Sequence, residues 1–143
     1  MKKIFTPEQE KQLISAIEAA EKNTSGEIRV HIESTCSGDA MGKAQKMFHK
    51  LGMDKTDLKN GILIYLAFES RTFAIIGDKG INDKVASDFW DKTKDGMLEN
   101  FKQSKFLEGL VFGVSEAGNK LKEFFPYQSN DKNELSNDIS FGA

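Results

Sequence analysis

Gly61-Ile62-Leu63-Ile64-Tyr65-Leu66-Ala67-Phe68, then Glu69-Ser70, then Arg71-Thr72-Phe73-Ala74-Ile75-Ile76-Gly77, is the stretch that decides the fold. Its first half is apolar on both faces, the pattern of a central strand covered from each side. The connection is too short for a crossover, so the second strand must return antiparallel as a hairpin. Upstream, Glu27 to Glu33 alternates: Ile28, Val30 and Ile32 face one way, Arg29, His31 and Glu33 the other. That alternation predicts a half-exposed strand near a sheet edge. Between these strands, Ala40, Ala44, Met47, Phe48 and Leu51 mark a short amphipathic helix that Gly52 stops. A strand–helix–strand unit is expected to run parallel through a right-handed crossover.

Helices flank this core. Thr6, Pro7 and Gln9 form a capping box with proline in the first helical turn, and Leu13, Ile14, Ile17 and Ala20 make the apolar stripe. Downstream, Val85, Phe89, Met97 and Phe101 line one expected helix, with Trp90 beside them and Asp83 and Asp88 near its start. A last helix from about Lys105 to Phe125 carries Gly109, Gly113 and Gly118 at near-helical spacing, a device for close packing, and Pro126 ends it. The expected fold class is therefore α/β, with a small mixed sheet made of a parallel pair plus an antiparallel hairpin strand. Residues 1–127 form the expected domain and 128–143 a polar, flexible tail. Leu135, Ile139 and Phe141 are the apolar exceptions that would let the tail dock.

Composition excludes several classes. The 143 residues carry 20 basic and 22 acidic side chains, a net charge of −2, which gives no field to collect nucleic acid. Cys36 is the only cysteine, so neither an internal disulfide nor a cysteine-rich zinc site can form. The apolar run from Ile62 to Phe68 is far short of the roughly 18–20 residues that span a bilayer. Met1 to Pro7 lacks the apolar stretch of a signal peptide, and the expectation is a cytoplasmic monomer.

Standard catalytic signatures, including HExxH, GxSxG, CxxC and Walker-type loops, are absent. His31 and His49 read as surface histidines, and Cys36 as a thiol in a polar loop. Oxygen ligands are more informative. With two strands parallel and the third antiparallel, one sheet end gathers Glu27, the loop from Asp54 through Thr56 and Asp57 to Asn60, and Asp78. Hard cations such as Ca²⁺ take six to eight oxygens from carboxylates, amides, backbone carbonyls and water. The expected metal set is Glu27, Asp54, Asp57, Asn60 and Asp78. The alternative is ordinary turn chemistry, with Lys55, Lys59 and Lys79 neutralising the acids.

The run KNGILIYLAFESRTFAIIGDKGIN, preceded by GEIRVHIE and LGMDKT and followed by EGL-x-x-G and FFP, resembles the TPM domain family. The likeness extends over roughly Phe5 to Pro126, and its most specific parts are Asn60-Gly61, Arg71, and Gly77 with Gly80. It implies a three-layer α/β/α sandwich. It also implies divalent-cation binding, notably Ca²⁺, in some members, acid phosphatase activity in some plant members, and accessory roles in assembly or repair in others. Members are commonly exported or membrane-anchored, whereas this chain looks like a short stand-alone form. Lys59-Asn60-Gly61, Ser70-Arg71 and Gly80-Ile81-Asn82 stand where the family often has Asp-Asn-Gly, Asp-Arg and Gly-x-Glu. Three functions follow as expectations: a cation-binding domain first, a non-catalytic interaction module second, and a metal-assisted phosphatase last.

Overall fold

The structure is a computed structural model that describes residues 4–126 and 139–142. Helix α1 (Pro7–Glu21) starts where the sequence places it: Thr6 Oγ1 accepts from Gln9 N, and Gln9 Oε1 accepts from Thr6 N. Strand β1 (Glu27–Glu33) leads into α2 (Ala40–Lys50), whose first N–H groups are capped by Asp39. Gly52, at φ +75°, turns the chain out of this helix into a 3-10 turn at Met53–Lys55. Strands β2 (Gly61–Ala67) and β3 (Thr72–Gly77) form the hairpin, with Arg71 left-handed at φ +56° in its turn.

Downstream, the structure departs from the expected single helix. A short α3 (Lys79–Asn82) precedes α4 (Phe89–Phe101), and Val85 lies in the connection. Asn82 explains the break: its amide donates to Gly77 O and accepts from the Trp90 indole, pinning the turn against both neighbours. Helix α5 (Phe106–Phe124) follows, and its glycines are where neighbours come closest. A Cβ at Gly113 would lie 2.7 Å from Met97 Sδ, and one at Gly118 would lie 2.6 Å from Ala20 Cβ.

The sheet order is β3-β2-β1-β4, where β4 is Ser140–Phe141. β1 and β2 are parallel, β2 and β3 antiparallel, as the connection lengths require. The layers divide by strand face. Ile28, Val30, Ile32, Ile62, Ile64, Leu66 and Ile75 pack with α1, α4 and α5, while Leu63, Tyr65, Ala67 and Ala74 meet α2. Each fully buried aliphatic side chain in these layers contributes on the order of 1.5–3 kcal/mol.

One expectation needs correction. β1 is not half-exposed: His31 and Glu33 are 2% and 5% exposed and Arg29 is half-buried, so most of its polar face is covered as its apolar one is. His31 is consequently not a surface histidine. At the chain end, Ile139 and Phe141, two of the apolar residues expected to let it dock, lie in residues 139–142, which return to the fold. Ser140 and Phe141 pair in parallel with His31 and Ile32, Gly142 N donates to Ile32 O (2.8 Å), and Ile139 is buried. Leu135 lies outside the described residues.

Candidate functional site

Register brings the expected residues to one end of the sheet. Glu27 is opposite Gly61, and Ile62 is opposite Gly77, so the β1 start, the loop before β2 and the β3 exit meet. Asp78 N donates to Gly61 O (2.9 Å), which fixes Asp78 next to Asn60. The loop is held from below by Met53, fully buried, while Lys59 (φ +52°) makes its last turn. Gly80 closes the arrangement. A Cβ there would fall well inside contact distance of the Leu58 and Lys59 carbonyls, so only glycine lets α3 lie this close to the loop.

Two aspartates in this cluster, Asp54 and Asp78, are half-satisfied. Asp78 Oδ1 accepts from Lys79 N (2.7 Å) as the cap of α3, while its Oδ2 is shielded from solvent and has no hydrogen-bond partner. Asp54 Oδ2 meets His49 Nδ1 at 3.0 Å, and its Oδ1 is likewise shielded and unpartnered although the side chain as a whole is 37% exposed. The His49 contact holds the Asp54 carboxyl below the usual aspartate range. Thr56 Oγ1 and Asn60 Nδ2, on residues 2% exposed, are shielded and unpartnered too. Glu27 is buried at the β1 start. Asp57 is exposed, and none of its atoms belongs to the shielded set.

The lysines reach the loop aspartates without direct ion pairs: the Lys55 charge helps to hold the Asp54 carboxyl low from a distance. Lys59 Nζ donates to the Asp54 backbone carbonyl (2.5 Å), and among the described residues no lysine ion pair to Asp54, Asp57 or Asp78 is found. Buried polar atoms without partners cost roughly 1–3 kcal/mol each, so four at one place need a reason. A hard cation would supply it for the oxygens of Asp54, Thr56 and Asp78, and a half-turn of the Asn60 amide would present a further oxygen. Among the described residues no three His, Cys, Asp or Glu side chains converge as a metal cluster. A cation here would therefore depend on the hydroxyl, the amide, backbone carbonyls and water as well as carboxylates.

A second polar cluster escaped the sequence reading. Glu33 Oε2 accepts from the Tyr65 hydroxyl, Glu33 Oε1 lies 3.2 Å from His31 Nε2 and 3.5 Å from Lys43 Nζ, and His31 Nδ1 meets Ser140 Oγ at 2.9 Å. Burial pushes the His31 pKa down despite Glu33. Burial alone would raise that of Glu33, but the hydrogen bond from Tyr65, with His31 and Lys43 close by, holds it below its ordinary value. Burial, then the Glu33 carboxylate, drives the Tyr65 hydroxyl far upward. The signal for this cluster was the tyrosine in an otherwise aliphatic strand, since a buried phenol needs a partner. Glu33, Thr35, Cys36, Ser37, Lys43 and Lys46 line an open hollow of about 470 Å³ beside it.

The TPM domain pattern matches residues 1–120. The chain belongs to the TPM domain family. This TPM domain is similar to the NMR structure of the BA42 protein from the psychrophilic bacterium Bizionia argentinensis. The identity is 51% and the TM-score 0.91, with 99% of this chain and 98% of that one covered. Two further NMR structures share its fold. The N-terminal domain of a Corynebacterium glutamicum protein has 15% identity and a TM-score of 0.68, over 92% of this chain and 82% of that one. The N-terminal domain of a P. gingivalis protein has 19% identity and a TM-score of 0.70, over 87% and 83%. No curated protein matches the chain. Among the described residues, no helix of this TPM domain is long and apolar enough to cross a membrane.

Proposed function

We propose that this TPM domain binds a divalent cation, Ca²⁺ in preference, at the sheet end formed by Glu27, Asp54, Thr56, Asn60 and Asp78. The observation that supports this reading is the set of shielded, unpartnered oxygens on Asp54, Thr56 and Asp78. Hydrogen bonds hold the second oxygen of each aspartate in place, which pre-organises the first for a ligand. Asp57, exposed on the same loop, belongs to this reading only as an outer ligand acting through water. We assign no catalytic step. A phosphatase reaction would need the same cation to hold the ester and activate water, so it depends on this site being real.

Titrating the ¹⁵N-labelled full chain with CaCl₂ tests the proposal. Amide shifts centred on Glu27 and on residues 54–60 and 77–82 are expected, and no perturbation in the two loops at millimolar calcium overturns it. We also read the chain as a cytoplasmic protein that does not engage nucleic acid, on its composition and near-balanced charge.

A further inference from the structure

At the opposite end of the sheet, Leu66, Phe73, Leu98, Phe101 and Phe106 wall an open hollow of about 120 Å³, with Arg71 and Lys102 at its sides. The Phe101 ring packs edge-on against Phe73 (4.9 Å between centroids) and at 5.8 Å from Phe106, so the walls are held by mutual ring contacts. Leu98 is 40% exposed beside them. A cavity of roughly 150 Å³ accepts benzene, so this volume suits one aliphatic or small aromatic side chain and little more.

The two cations are what specify an occupant. Arg71 and Lys102 are exposed, and among the described residues neither side chain has an ion pair or hydrogen bond. Arg71 occupies a left-handed turn position where glycine or asparagine would be relaxed, so a long cation is held there against backbone preference. Helix α5 begins beside the hollow at Phe106 without a side-chain cap, which adds the positive end of its dipole. Glu69 and Glu108 are close in sequence, but neither lines the hollow.

We propose that this hollow is a docking site for a protein segment that presents one large apolar side chain flanked by carboxylates. The apolar residue fills the cavity, and Arg71 and Lys102 engage the acids on either side. Such a surface gives anchoring from one buried side chain and selectivity from the charges.

Titration of the labelled full chain with a blocked pentapeptide, one leucine between pairs of glutamates, tests this. Amide shifts at Phe73, Leu98, Lys102 and Phe106 are expected. Replacing the peptide leucine by alanine, or its glutamates by lysines, should weaken binding by at least about tenfold, one step of 1.4 kcal/mol. K102E should do the same, and R71E too, with the unshifted amides of each variant reporting an intact fold. No shifts at millimolar peptide, equal binding of the alanine peptide, or unchanged binding to both variants each overturn the proposal. Shifts at these residues on simple dilution of the chain would make the occupant a second copy, and would overturn it equally.

Discussion

The Tyr65 hydroxyl donates to Glu33 Oε2 over 2.5 Å inside the sheet, joining two neighbouring strands through side chains rather than backbone. The relationship depends on register. His31 is the residue opposite Tyr65, its ring stacks at 5.9 Å, and Glu33 lies one same-face position further along β1. Tyr65→Phe removes the donor and leaves Glu33 Oε2 buried without it. We expect a loss of roughly 1–3 kcal/mol in urea unfolding, with the far-ultraviolet spectrum unchanged. A loss under a few tenths of a kcal/mol would show that the pair contributes little.

Proton linkage opposes itself in this domain. The Glu21 carboxyl accepts from Ile28 N at the β1 edge, and burial, aided by Glu27 and Glu18, pushes its pKa from 4.5 up to about 7. Between those values the folded state holds a proton that the unfolded state has released, so stability falls as pH rises. His31 acts the other way: its pKa is lowered, so below 6.5 the unfolded state binds a proton first, and stability rises with pH. The two slopes oppose each other below pH 6.5, so wild-type stability should change less with pH there than either group alone would dictate. In Glu21→Gln the His31 dependence is exposed, with a slope approaching about 1.4 kcal/mol per pH unit at most. The variant should also exceed wild type at pH 8, by on the order of 1 kcal/mol after allowance for solvent screening. Urea unfolding at stepped pH measures both, and parallel curves would reject the assignment.

Acid unfolding should carry a further signature. The Glu33 pKa is lowered from 4.5, so its contribution is complete above that pH and disappears as pH falls through the folded value. Glu33→Gln should flatten the stability curve below pH 4.5 while costing stability at neutral pH, as read from thermal melts across that range.

Thr56→Val separates metal binding from folding. The Oγ1 atom is buried without a partner, so replacing it by a methyl group should leave the metal-free protein as stable or more so. The same change should reduce the rise in Tm produced by millimolar CaCl₂, since a ligand stabilises through its affinity for the folded state. An unchanged calcium response would remove Thr56 from the ligand set.

Gly80→Ala should act through geometry alone. Its Cβ collides with the Leu58 and Lys59 carbonyls, backbone that cannot rotate away, so the loop must separate from α3. We expect a stability loss of about 1–3 kcal/mol or more, with amide shifts spanning residues 54–60 and 77–82. A melt and amide spectrum indistinguishable from wild type would show that the loop yields freely.

Much of the architecture was legible because local signals agreed with the global one. Thr6, Pro7 and Gln9 announced α1, Gly52 ended α2, and the short connection at 68–71, around Glu69-Ser70, forced β2 and β3 antiparallel. The sheet end was legible for the same reason, since connection type dictates which loops meet. The division into α3 and α4 was not, because Asn82 bridges Gly77 and Trp90 through contacts that no periodicity encodes.

What the sequence by itself determined were the properties that repeat along the chain: strand and helix periods, caps, and the strand directions those imply. Only the tertiary structure decided which polar groups are buried. Alternation in β1 assigned Arg29, His31 and Glu33 to a wet face, because a period-2 pattern cannot tell water from a partner supplied by Tyr65, Lys43 and Ser140. The candidate cation site divides the same way. Its residues were in the sequence, but that one oxygen each of Asp54, Thr56 and Asp78 is shielded and left without a hydrogen bond is a property of packing.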